Sequence, residues 1–154
     1  MARVEERLRE LGIEINTPPK PQGHYQYAVI SGNLIFISGQ LPLKGEKLLY
    51  KGKVGKEVSL EEGVMAARLA AINSLSIMKS ELGDLDRIGR IVKLTGYVAS
   101  APGFNLQAKV INGASEFFYD IFGDMGKHAR AAVGVYELPL DAPVELEVIA
   151  EVSS

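Results

Sequence analysis

The chain has no cysteine, which excludes disulfides, thiolate nucleophiles and cysteine-ligated metals. It has only two histidines, His24 and His128, so a multi-histidine zinc site is excluded as well. No apolar run reaches the length needed to cross a bilayer. The first residues, MARVEERLRE, are charged from the third position and read as no secretory leader. The expectation is a cytoplasmic protein without membrane contact. Basic charge is not in excess: 17 Lys plus Arg stand against 19 Asp plus Glu, a formal net charge of −2. A nucleic-acid partner normally requires a clustered basic surface, so that class of partner is disfavoured. No Walker loop or dinucleotide fingerprint occurs, and no Gly-x-Ser-x-Gly elbow.

What remains is an ordinary globular composition. The 154 residues are 47% apolar and 23% charged, enough for one domain spanning residues 1–154 with its own core. Residues 3–11 predict a short amphipathic helix with Val4, Leu8 and Leu11 on one face, inside an N-terminal extension of residues 1–15. The segment NTPPKPQ (16–22) predicts extended backbone, because proline lacks an amide donor and restricts its neighbour. Two β-prone runs in residues 25–40 flank Ser31-Gly32-Asn33, the pattern of a hairpin. A Gly- and Lys-rich loop follows at 41–57, with a third short strand expected near Leu48–Lys51.

Ser59 and Glu62 form a capping-box pattern ahead of a long helix that Gly83 stops. Met65, Leu69, Ile72, Leu75, Met78 and Leu82 recur at helical spacing as its apolar stripe. Ala66, Ala67, Ala70 and Ala71 are small enough for close packing on a sheet. Residues 88–100 predict a strand, and 103–122 a second helix with Val110, Ala114, Phe117 and Ile121 buried. The last third predicts two strands, ARAAVGVYE and VELEVIAEV, joined by LPLDAP as a hairpin. In the final strand Val144, Leu146, Val148 and Ala150 face one way, and Glu145, Glu147 and Ile149 the other. The order is α+β: two main helices cover one face of a mixed sheet, with a short N-terminal helix added. The other sheet face then needs a cover, and self-association is the simplest one.

Few residues stand out chemically. Arg130 opens a predicted strand after a glycine-rich turn, and a guanidinium fork matches a carboxylate in two parallel hydrogen bonds. Spacing alone leaves it an ordinary strand arginine. Glu145 and Glu147 point away from the apolar stripe and could orient water or accept its proton. A hairpin centred near Leu140 sets Glu145 opposite about Val135, so it does not pair directly with Arg130. Tyr25 could close a pocket, and the histidines could titrate near neutrality.

These residues together resemble a known family. Ala129-Arg130, Val133, Leu138-Pro139 and Val144-Glu145-Leu146-Glu147 form one ordered set. Gly23-His24-Tyr25, Gly32-Asn33 and Ser38-Gly39-Gln40 form a second, and Val110-Ile111-Asn112 leading into Glu116-Phe117-Phe118 a third. In this order they resemble the RidA (YjgF-type) reactive-intermediate deaminases, also called the L-PSP endoribonuclease family, over residues 20–152. The resemblance implies a chorismate-mutase-like fold with a six-stranded mixed sheet, and a homotrimer with sites between subunits. It implies cofactor-independent hydrolysis of enamines and 2-imino acids to 2-oxo acids and ammonia, with no metal. Carried over by residue, Arg130 binds the substrate carboxylate and Glu145 positions water. Tyr25, Ser38, Gly39 and Asn112 line the pocket. Ala132 stands where relatives often have cysteine, and His24 and His128 stand where prolines are common. These departures are closer to a longer subgroup. A non-catalytic binding protein for a small carboxylate metabolite remains the alternative reading, with endoribonuclease or translation-inhibitor activity behind it.

Overall fold

A computed structural model describes residues 3–18, 21 and 23–153. Helix α1 (Arg3–Glu10) buries Val4 and Leu8, as its periodicity predicts, while Leu11 lies beyond its end and is only partly buried. Its N-terminus is capped from far along the chain: the Asp86 carboxylate accepts from the amides of Arg3 and Val4 at 2.8 and 2.9 Å. Of the extended segment 16–22, residues 19, 20 and 22 lie outside the described residues, and 16–18 carry no regular structure.

Strands β1 (Ala28–Ser31) and β2 (Leu34–Gln40) form the expected hairpin, with Gly32 supplying the positive φ of its turn. The expected third strand is instead a separate two-stranded hairpin, β3 (Leu43–Lys44) and β4 (Lys47–Leu48). The main sheet accordingly has five strands, not six.

Helix α2 (Leu60–Leu82) starts on a complete capping box at Ser59 and Glu62 and stops at Gly83. Its buried face includes the expected Leu75, Met78 and Leu82 and the small alanines, but not the first half of the expected stripe. Ala66, Ala67, Ala70, Ala71, Leu75 and Met78 are buried, whereas Met65 is 52% exposed and Leu69 and Ile72 are only partly covered. Close approach decides the difference. A Cβ on Gly113 of helix α3 (Gln107–Phe122) would lie 2.1 Å from the Val64 carbonyl oxygen of α2, so the two helices touch backbone to backbone. Gly63 of α2 lies against Val110 of α3, and Met65 and Leu69 turn to the flank beside Leu43 and Tyr50. On α3 the predicted residues Val110, Ala114, Phe117 and Ile121 are buried.

Strand β5 (Ile88–Ala99) is followed, after α3, by β6 (Ala129–Val135) and β7 (Val144–Val152). The sheet order is β1-β2-β7-β5-β6, with β5 and β6 parallel and the other neighbours antiparallel. The closing hairpin is thus corrected: β5 lies between β6 and β7. The connector passes over the end of β5, where the Ala99 amide donates to Pro143 O and the Ser100 amide to Val135 O. Leu140 and Asp141 both take positive φ in that connector, which spans the width of β5 and so joins strands that are not neighbours.

Both helices pack on one sheet face. Val144, Leu146, Val148 and Ala150 are buried beneath them, and Ile111 of α3 lies over Gly96 of β5. The opposite face carries Val29 (51% exposed), Phe36 (39%) and Val133 (44%), with Ile149, Tyr97, Glu145 and Glu147 between them. Among the described residues no helix is long and apolar enough to cross a membrane.

Candidate ligand site

The sheet register sorts the expected site residues into two groups. Arg130 is aligned with Leu94, and Leu94 with Val148, so all three point to the helix-covered face. Glu145 is aligned with Tyr97, and Tyr97 with Val133, on the open face. Arg130 and Glu145 are therefore on opposite sides of one chain's sheet. The expectation that they do not pair directly holds, although the hairpin geometry behind it does not.

Arg130 sits on β6, an edge strand, and reaches across to α3. Its Nη1 donates to Asn112 Oδ1 at 2.8 Å and to Ser115 Oγ at 3.2 Å. Asn112 and Ser115 are three residues apart, which puts them on one face of the helix. Ser115 Oγ also lies 2.8 Å from His128 Nε2, and His128 Nδ1 lies 2.7 Å from the Gly126 carbonyl oxygen. Burial, joined by the charge of Arg130, holds the His128 ring below its ordinary pKa, although its bond to Gly126 acts the other way. Among the described residues no carboxylate pairs with Arg130. Both of its hydrogen bonds leave from Nη1, so the Nη2 and Nε donors have no partner among those residues. Neutral acceptors thus aim a free cationic fork, the arrangement that suits an incoming carboxylate.

On the open face Glu145 is half-buried. Desolvation raises its pKa, and the neighbouring Glu147 adds to the rise. Tyr97 donates its hydroxyl to Glu147 Oε1. That bond, with burial, pushes the phenol up to about 12. Above Glu145 lies Gly39, where the β2–β7 ladder slips between Ile37 and Gln40. A Cβ at Gly39 would stand 2.0 Å from Glu145 Oε2, so only glycine leaves room for that carboxylate. Ser38 Oγ donates to Tyr27 O at 3.2 Å, and the Tyr27 ring meets Tyr25 edge-on with centroids 6.1 Å apart. The Gln40 amide group donates to the Ser38 and Gly39 carbonyls at 3.1 and 3.3 Å. A cavity of about 300 Å³ lined by Tyr27, Gln40, Leu43 and Asn73 adjoins this group.

A protein family described as "YjgF/chorismate_mutase-like, putative endoribonuclease" matches residues 5–152. The chain belongs to this YjgF family. Protein TCP17 of Trypanosoma cruzi is 40% identical over 99% of this chain and 96% of its own length. A crystal structure of Atu1372 from Agrobacterium tumefaciens, titled as a protein of unknown function, shares 44% identity with a TM-score of 0.91. It covers 97% of this chain and 92% of that one. More distant YjgF relatives carry more specific names. A 2-iminobutanoate/2-iminopropanoate deaminase of Dermatophagoides farinae is 30% identical over 88% of this chain and 92% of its own. TdcF of E. coli, crystallised with bound serine, is 25% identical with a TM-score of 0.65 over 90% and 98%.

In this YjgF chain the expected residues fall into an Arg130–Asn112 group and a Glu145–Gly39–Ser38 group, with Tyr25 attached to the second through Tyr27. Four residues with direct contacts here were not singled out for those roles: Ser115, Tyr97, Gln40 and Tyr27. The helical interval from Asn112 to Ser115 and the strand alternation that brings Tyr97 beside Glu145 could have pointed to two of them. Among the described residues no cluster of three or more His, Asp or Glu could hold a metal ion.

Proposed function

We propose that this protein hydrolyses 2-imino acids to 2-oxo acids and ammonia, at a site that two copies of the chain complete together. The observation that carries the reading is the unpaired guanidinium of Arg130, held by Asn112 and Ser115 and free of any carboxylate among the described residues. It is a receptor for a carboxylate that the described residues do not supply. Two relatives support the substrate class: one named for two imino acids, the other crystallised with serine, which bears a carboxylate.

Arg130 and Glu145 face opposite sides of their own sheet. A shared site therefore needs Arg130 from one copy and Glu145 from the next. The exposed apolar residues Val29, Phe36 and Val133 on the same sheet face as Glu145 suit burial against such a copy. A cyclic homotrimer gives every copy one of each role.

The chemistry follows from charge and position. Arg130 binds and orients the substrate carboxylate, which makes the reaction with water a positioned one. Glu145 accepts a proton from water as its oxygen adds to the imine carbon. It returns that proton to the nitrogen, giving a carbinolamine. It then takes the hydroxyl proton of that intermediate and passes it to the amino group, which leaves as ammonia while the carbonyl forms. The raised pKa of Glu145 brings it closer to the working pH of such a shuttle. The test is decay of an imine generated from an amino acid by an oxidase. Wild type accelerates it, and Arg130→Ala loses about 30- to 100-fold, matching one charged hydrogen-bonded contact. Ligand-induced thermal stabilisation that depends on Arg130, with no acceleration, would instead identify a carboxylate-binding protein. RNA cleavage lost in Arg130→Ala would restore the endoribonuclease reading.

A further inference from the structure

The hydrogen bonds that aim Arg130 run on to a group that titrates. The Gly126 carbonyl can only accept, so the 2.7 Å contact fixes the proton of neutral His128 on Nδ1. Nε2 then offers only a lone pair, and Ser115 must donate its hydroxyl proton to it across 2.8 Å. A serine has one such proton. While it is committed to His128, Ser115 can receive Arg130 Nη1 at 3.2 Å but has nothing to donate to a ligand.

Protonation of Nε2 reverses this arrangement. The imidazolium donates from both nitrogens. Ser115 Oγ then accepts from His128 and from Arg130, which fills its two lone pairs and frees its O–H. The free proton points away from both donors and becomes available to an anion at the guanidinium. A second positive charge also appears beside the first. Both changes favour a bound carboxylate.

We propose that His128, acting through Ser115, is a proton-linked positioning residue that tightens anion capture at Arg130 as pH falls. The proposal rests on the carboxylate-clamp reading above. Several charged groups lie on the elements packed around His128. They are Arg130 on β6, Arg90 and Lys93 on β5, Glu116 on α3, and the Asp124–Lys127 pair on the adjoining turn. Among these, Arg130 is the one whose charge acts on the ring, and it disfavours protonation until an anion neutralises it. A bound carboxylate therefore raises the affinity of His128 for its proton, and the proton raises the affinity for the carboxylate by the same factor.

The test uses 2-oxobutanoate, whose carboxyl stays ionised through the range of interest, in the His24→Asn background, where His128 is the single histidine. Calorimetry between about pH 5 and 7.5 and histidine NMR titration with and without ligand read the two sides of the link. The expected result is a His128 midpoint below about 6.5 that rises by roughly half to one unit on binding, with affinity increasing about three- to tenfold as pH falls. His128→Gln binds with a flat pH profile, and Ser115→Ala weakens the pH dependence while the ring still titrates. Binding that needs Arg130 but ignores pH, or an equal pH slope in His128→Gln, overturns the link alone. Absence of binding, or binding unchanged in Arg130→Ala, overturns the clamp and the link together. The NMR titration of His24→Asn decides the matter even if the other variants misfold.

Discussion

Substituting Gly39 by alanine tests the proposed role of Glu145 with a single methyl group. The new Cβ would fall 2.0 Å from Glu145 Oε2, 2.8 Å from Cδ and 3.1 Å from Cγ. A carbon and an oxygen in ordinary contact need more than 3 Å, so the carboxylate must leave its place. The obstructing atoms are the end of a flexible side chain and not backbone. The protein can therefore yield by rotating Glu145, and the cost to stability stays near the low end for overpacking, about 1 kcal/mol. Catalysis has no such relief. A displaced general base forfeits about 10²- to 10⁴-fold in rate. The expected Gly39→Ala protein melts within a few degrees of wild type yet loses at least about 100-fold in kcat/KM for an imino acid. Adding Glu145→Ala removes the atoms in collision, so the double variant regains stability over Gly39→Ala but no activity. Thermal unfolding and a coupled oxidase assay measure the two effects. Full activity in Gly39→Ala, or a stability loss that the second substitution does not relieve, would refute the reasoning.

Other perturbations have distinct expected outcomes. Gly113→Ala drives a Cβ against the Val64 carbonyl at 2.1 Å, and backbone cannot rotate away, so denaturant unfolding shows a loss of about 3 kcal/mol or more. Asp86→Ala removes both acceptors at the start of α1, and hydrogen exchange shows that helix opening first, at a cost of about 1 kcal/mol. Because the Val4 amide, helped by that of Arg3, holds the Asp86 carboxyl below its ordinary value, this support is present above that value and fades as pH falls through the lowered one. Glu147→Gln removes the carboxylate that lifts Tyr97 to about 12, and ultraviolet titration shows one tyrosine returning toward 10. The pKa of Glu145 is raised above that of the unfolded chain, so its pH-dependent contribution favours folding at low pH and is lost as pH rises through the raised value. Unfolding curves of wild type and Glu145→Gln accordingly differ in slope across that window.

Much of this fold follows from local patterns in the sequence. The capping box at Ser59, the Gly83 stop and the alternation in β7 each depend on neighbouring residues, and the structure reproduces them. The failures are non-local. Nothing near LPLDAP signals that β5 will come between β6 and β7, because parallel pairing joins strands far apart in the chain. In α2 the expected Leu75, Met78 and Leu82 are buried, but Met65 and Leu69, which carry a stronger apolar signal than Ala66 and Ala70, are not. Where α2 and α3 approach closely, at Gly63 and Gly113, the fold selects for small volume, which hydrophobicity does not report.

The site divides in the same way. The resemblance names Asn112 and Gly39 only as pocket residues; in the structure Asn112 hydrogen-bonds Arg130 and Gly39 lies against the Glu145 carboxylate. Ser115 carries no signal of its own in the sequence, and His128 is visible there only as a group that titrates near neutrality; the fold brings the two within 2.8 Å. That Arg130 and Glu145 lie on opposite faces is a property of sheet register, which requires the strand order to be known.

The most direct measurement mixes two inactive proteins. Arg130→Ala retains Glu145, and Glu145→Ala retains Arg130, so a site shared by two copies is rebuilt wherever the variants meet in the right order. Random co-assembly of equal amounts restores about one quarter of the wild-type sites. The account predicts imine hydrolysis near that fraction from the co-refolded mixture and almost none from either variant alone. A mixture that forms mixed oligomers and stays inactive would contradict it.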